Sequence, residues 1–149
     1  MFDAEHQNIK EVINNNAEKS DDYKIIAINK DAIEAMLQMK IALNNGEYIC
    51  FNGDRYVDKN STHAIDFLGS QVLLPIGPFK IAVKCRVPVV FYYSMRENNR
   101  TYRFIFEEPC YNGKLTPELL MEQYIKSLEN IVTRYPRQWF NFYDFWNFN

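Results

Sequence analysis

Residues 23–55, YKIIAINKDAIEAMLQMKIALNNGEYICFNGDR, decide the fold class. Residues 23–28 are a short apolar run of strand type. Asp31 then stands as an N-cap with Glu34 three positions on, a capping-box pattern that opens a helix. Ala32, Ala35, Met36, Met39 and Leu43 recur at helical spacing, and Gly46 is a stop signal. Residues 47–52 form a second apolar run. Strand, helix, strand in this order predicts a βαβ unit with a right-handed crossover and a parallel sheet. The fold class is therefore read as α/β, a mixed, largely parallel sheet flanked by helices. Ligands of such sheets sit beyond the carboxyl ends of the strands, which points to Gly53-Asp54-Arg55. Asp54 and Arg55 read either as a loop ion pair or as an anion site, for which the arginine fork is well shaped.

Upstream, Ile9, Val12 and Ile13 lie on one stripe of a helix that ends at Asn14-Asn15-Asn16. His6 and Glu11 have the spacing His-x-x-x-x-Glu, which suits an acid–base pair. Five helical positions turn about 140° past the starting face, so a solvated helix surface is the better reading of that pair. His63 lies in a polar loop and reads as an ordinary surface histidine.

Downstream, residues 64–69 read as an edge strand, and Gly77-Pro78-Phe79 as a helix start with proline in the first turn. Phe79, Ala82 and Val83 mark its inward stripe. Residues 88–95 and 101–107, joined across Asn98-Asn99, predict a hairpin. Thr116 caps a helix from Pro117, with Glu118 in its first turn and Leu120, Tyr124, Leu128 and Ile131 as its core stripe. Pro136 ends it, and an aromatic tail closes the chain.

The 149 residues suffice for a single domain, residues 1–149, and 47% apolar content predicts a packed core. Aromatic residues reach 15%, with 11 Phe, 10 Tyr and 2 Trp, a supply that suits cores, interfaces and membrane-facing surfaces. A net charge of −2 gives no nucleic-acid footprint. Cys50, Cys85 and Cys110 have no metal-type spacing and only two histidines accompany them, so reduced thiols in a cytoplasmic setting and no metal are expected. No run reaches the roughly 18–20 apolar residues that span a bilayer, and the acidic start is not of signal-peptide type. Any membrane contact of this chain is expected to be peripheral. Gly-rich phosphate loops, a Gly-x-Ser-x-Gly elbow and metal motifs do not occur.

Four phrases, in order, resemble the bacterial lipid A late acyltransferases of the lysophospholipid acyltransferase-like superfamily. They are Asn52-Gly53-Asp54-Arg55 with Asp66-Phe67-Leu68-Gly69; Leu74-Pro75-Ile76-Gly77-Pro78-Phe79; Val87-Pro88-Val89-Val90-Phe91 leading to Arg96-Glu97; and Tyr135-Pro136-Arg137-Gln138-Trp139-Phe140 with Phe145-Trp146. The resemblance implies transfer of a fatty acyl chain from an acyl carrier protein or acyl-CoA thioester to a hydroxyl of a lipid A-type precursor, with no cofactor. It implies Asp54, Arg55, Arg96 and Gly77 as substrate-binding residues, the arginines gripping phosphate. The family's catalytic His-x4-Asp/Glu has its only counterpart here in His6 and Glu11, without the Gly-Asn-Trp phrase between them. The expectation is a chain that resembles the family's carboxyl-terminal part, an acyltransferase-like fold without its N-terminal catalytic block. A non-catalytic lipid- or partner-binding module is the alternative. Exposed strand edges predict a homo-oligomer with residues 23–28 near its interface. The cytoplasm, and the cytoplasmic face of the inner membrane, are the expected locations.

Overall fold

The computed structural model describes residues 26, 32–56, 59–140 and 145–146. The chain divides into two compact units, Met1–Val57 and Asp58–Asn149, each treated by itself. The expected helix before Asn14 and the Asp31 cap lie outside the described residues, as do His6 and Glu11.

In the first unit α1 spans Ala32–Asn44. Gln38 Nε2 donates to Glu34 Oε1 across one turn at 3.2 Å. Gly46 takes φ +78 at its end. The Glu47 N–H reaches the Ala42 carbonyl at 3.0 Å and the Gly46 N–H that of Leu43 at 3.1 Å. This is a Schellman ending, the one the glycine predicted. Of the expected stripe, Ala35 and Met39 are buried, Leu43 is half-buried and Met36 is exposed. Residues 47–52 are not a strand: they carry no regular structure, and Tyr48 is 98% exposed. Ile26 is irregular as well, and the rest of residues 23–28 lies outside the described residues.

The second unit holds two hairpins. β1 (Thr62–Phe67) pairs antiparallel with β2 (Ser70–Pro75), Phe67 facing Ser70. Leu68 (φ +51) and Gly69 (φ +82) make the two-residue turn, both left-handed as the twist of a tight hairpin requires. α2 spans Gly77–Cys85 with Pro78 in its first turn and stops at the left-handed Arg86. β3 (Phe91–Arg96) pairs antiparallel with β4 (Tyr102–Glu107). α3 spans Pro117–Arg134, where the Leu119 N–H donates to the Thr116 hydroxyl at 3.2 Å. α3 packs against α2, β1 and β3. Phe67, Val72, Leu74, Ile76, Phe79, Phe91, Leu120, Met121, Ile125, Leu128, Val132 and Phe145 form one core.

The protein is thus of mixed α/β type, but a largely parallel sheet is not found. Among the described residues both ladders are antiparallel hairpins. The physical reason is connection length: two or five residues between strands permit only antiparallel return, whereas a parallel pair needs a crossover. β2 had no counterpart in the sequence reading, which stopped at Gly69.

Leu68 is a place where local preference and structure disagree. A left-handed non-glycine residue carries a backbone cost of about 1–2 kcal/mol. It is held there by its N–H donating to Glu129 Oε1 at 2.7 Å, a partner 61 residues away. Leu68→Asn, which supplies the turn's preferred Asn-Gly pair, is expected to stabilise the protein by about 1 kcal/mol, read as a higher urea midpoint. An unchanged or lower midpoint would show that the Leu68 side chain contributes more than its backbone costs.

Candidate functional site

Asp54 and Arg55 follow α1 in a turn begun at Gly53. Arg55 Nε lies 3.8 Å from Asp54 Oδ2, with the two side chains 55% and 32% exposed. The contact is loose and open to water, so it contributes little to stability. The Arg55 side chain is 55% exposed, and a guanidinium binds anions through its in-plane N–H groups. Both residues follow an irregular segment, not the strand end from which they were singled out.

Arg96 ends β3, in the second unit. Its main chain is fixed by a side chain from beyond α3. Gln138 accepts the Arg96 N–H at 2.8 Å through Oε1 and donates to the Arg96 carbonyl at 2.8 Å through Nε2. One amide thus imitates the neighbouring strand that β3 lacks on this side. Gln138 stands in the 3-10 turn Pro136–Gln138, which exists because Pro136 cannot continue α3. The Arg96 guanidinium donates to the Asn98 carbonyl at 3.0 Å and to Asn99 Oδ1 at 3.1 Å.

Glu97 next to it faces another way. Arg103 Nε donates to Glu97 Oε1 at 2.6 Å and the Tyr135 hydroxyl donates to the same oxygen at 2.9 Å. Tyr135 first, then Arg103, holds this carboxyl below the usual range, while Glu97 raises both partners. Arg134 lies 5.3 Å from the Tyr135 ring centroid, a cation–π contact. Together these groups lock the β3–β4 turn to the end of α3.

Gly77 opens α2. A Cβ there would meet nothing within 4 Å, so no protein atom of the described structure requires glycine at that position. Gly69 is required instead by its positive φ. Gly77 and Arg96 stand at the ends of different elements, and no hydrogen bond described here joins them. His63 is exposed, as a surface histidine should be, but it stands on strand β1 rather than in a loop. Glu118 is nevertheless within its electrostatic reach. The Glu118 carboxyl lies below the usual range, first through its own backbone N–H, then through the Thr116 hydroxyl, His63 and Lys80.

Behind the hairpin, the Tyr93 hydroxyl and Ser127 Oγ are 2.8 Å apart. Burial pushes the Tyr93 phenol up to about 12, with the Ser127 bond opposing and Glu107 assisting. The folded chain therefore keeps this proton over a window in which the unfolded chain, near its ordinary 10, has lost it. The stability this group contributes should be fully present and independent of pH below pH 10, and be lost as pH rises from 10 to about 12. Tyr93→Phe is expected to flatten that alkaline limb and to cost about 1 kcal/mol at pH 7, both read from urea unfolding across pH.

Glu97, Tyr135 and Gln138 stand in the family-like phrases without a role read for them, and Glu129 was not singled out. Their partners are 38 to 61 positions distant, so no local pattern announces these contacts. Among the described residues no three His, Cys, Asp or Glu side chains gather as a metal site, and no helix is long and apolar enough to cross a membrane. Cys50, Cys85 and Cys110 are free thiols.

The family model for bacterial lipid A biosynthesis acyltransferases matches residues 3–147. The chain belongs to this family. No curated protein matches the chain closely enough to refine that assignment. The phrases that suggested the acyltransferase family now have structural meanings. Phe67-Leu68-Gly69 is the β1–β2 turn and Gly77-Pro78 the start of α2. Arg96-Glu97 is the end of β3 and Tyr135-Pro136-Arg137-Gln138 the turn that clamps it.

Proposed function

We propose that this acyltransferase-family protein moves a fatty acyl chain from an acyl carrier thioester to a hydroxyl of a phosphorylated lipid A-type acceptor. The match to the family over residues 3–147 is the observation that carries this reading. In the reaction a base takes the acceptor's hydroxyl proton, and the oxygen attacks the thioester carbonyl. The carbon–sulfur bond then breaks, and the carrier thiol leaves with a proton. Asp54 and Arg55 bind the acceptor side, the guanidinium on a phosphate and the carboxylate orienting it. In the second unit Arg96, its backbone held by Gln138, is a separate candidate for binding phosphate. His6 with Glu11, the chain's one counterpart of the family's His-x4-Glu pair, is the candidate for the base, against its reading as a solvated helix surface. The carrier and the lipid acceptor place the reaction at the cytoplasmic face of the inner membrane.

The test is to incubate the purified chain with acyl carrier thioester and a phosphorylated acceptor, and to follow acceptor mass. Gain of one acyl group, lost in His6→Ala, is the expected result. Wild-type protein that binds the acceptor but never acylates it would favour the second reading, a non-catalytic lipid-binding module. A specific observation supports that alternative: Tyr92, Phe104 and Phe106 are large and exposed, and the Tyr92 ring contacts both phenylalanines.

A further inference from the structure

The β3–β4 hairpin presents its aromatic rings outward. The register pairs Tyr92 with Phe106, Ser94 with Phe104 and Arg96 with Tyr102, so these six side chains share one face. Phe106 is 67% exposed, Phe104 and Tyr102 57% each, and Tyr92 54%. Val90 extends the face at its base. Tyr92 lies 5.8 Å from the Phe104 ring and 5.3 Å from the Phe106 ring, so the rings form one continuous patch. On β4 the alternation is inverted relative to an ordinary one-sided sheet. Arg103 and Glu107 share the parity of the half-buried Ile105, while Tyr102, Phe104 and Phe106 face out. A contiguous exposed apolar face of this kind marks an interaction surface.

Charge and area indicate the occupant. The paired outward positions hold one arginine and no carboxylate. The hydrogen-bond acceptors of the Arg96 guanidinium, Asn98 O and Asn99 Oδ1, are neutral, so its charge is not cancelled there. Arg100 is exposed in the same turn, and Glu97 is directed to Arg103 and Tyr135 instead. Glu108 follows β4 at the opposite end, so the turn end is the cationic one. Strands rise about 3.3 Å per residue and lie about 4.8 Å apart, so a hairpin of this length is roughly 20 Å long and 10 Å wide. That is well short of the roughly 800 Å² per partner of a stable protein interface, which disfavours a second copy on this face alone.

We propose that the outward face of the β3–β4 hairpin is a docking surface for an anionic phospholipid bilayer. The rings lie at the boundary between headgroups and acyl chains, and Arg96 and Arg100 meet lipid phosphates. The inference rests on the lipid-acceptor reading above, because an enzyme that acylates a membrane lipid must meet it at the bilayer surface.

Flotation of the full chain with vesicles tests it, using phosphatidylethanolamine mixed with phosphatidylglycerol against phosphatidylcholine alone. The chain is expected to float with the anionic vesicles, less so at high salt. The double variant Phe104→Ser/Phe106→Ser, with unchanged circular dichroism, should bind about tenfold less. Arg100→Gln should bind anionic vesicles a few-fold less, with no change on phosphatidylcholine vesicles. If the double variant proves misfolded, Phe106→Ser alone provides the same comparison. Undiminished binding of a folded ring variant overturns the proposal, as does a wild-type chain that fails to float. A dimer that dissociates in the ring variant, with no vesicle binding, assigns the face to a second copy and overturns it too. Acyl transfer to a detergent-dispersed acceptor is measured separately. Turnover without flotation defeats only the docking surface, and flotation without turnover supports it while defeating only the transfer reading.

Discussion

Phe67→Ala is expected to destabilise the protein by about 3–5 kcal/mol, a large share of the roughly 5–15 kcal/mol that holds a domain together. Phe67 has no exposed surface. Its ring lies 5.5 Å from Trp139, 5.7 Å from Phe145 and 6.4 Å from Trp146, centroid to centroid. Removing it leaves a cavity walled by rigid aromatic rings, which relax poorly into the space. Urea unfolding should show a much lower midpoint with an unchanged slope. The chain's 2 tryptophans both belong to this cluster, so their emission follows the same transition. Phe67→Leu, which keeps most of the volume, should lose only about 1–2 kcal/mol. A loss under about 1 kcal/mol for the alanine variant would mean that Phe67 is not central to this core.

Arg55→Ala should lower kcat/KM for the phosphorylated acceptor roughly 10–100-fold, the worth of a charge-assisted hydrogen bond to a phosphate. Folding should be unaffected, because the Arg55–Asp54 contact is 3.8 Å long and solvent-exposed. Arg55→Lys should recover only part of the activity, since an ammonium keeps the charge and loses the planar fork. The measurement is initial rate against acceptor concentration at saturating acyl carrier thioester, with circular dichroism as the folding control. An unchanged KM and kcat in a folded Arg55→Ala protein would remove Arg55 from the acceptor site.

What the sequence determined by itself lies within a few residues of its signal. Gly46 ends α1, Gly77-Pro78 starts α2, and Thr116 and Pro136 bound α3. Asn98-Asn99 turns the second hairpin, where the Arg100 N–H donates to Asn98 Oδ1 at 2.9 Å. Each signal works through a local backbone hydrogen bond or a restricted dihedral angle, which a sequence window contains. The adjacency of Asp54 and Arg55 was legible for the same reason.

Tertiary structure decided the rest. The apolar run at residues 47–52 cannot name a ladder partner, and its parallel pairing was an inference from element order. β2 stayed hidden because its buried residues, Val72, Leu74 and Pro75, break strict alternation, and because its turn carries leucine where Asn is usual. The outward aromatic face of β3–β4 was equally beyond the pattern, since alternation alone does not say which side α3 will cover. Gln138 on Arg96 and Glu129 on Leu68 join residues 42 and 61 positions apart. Those bonds exist only after α3 has packed beneath both hairpins, because folding brings together groups whose partners no local sequence specifies.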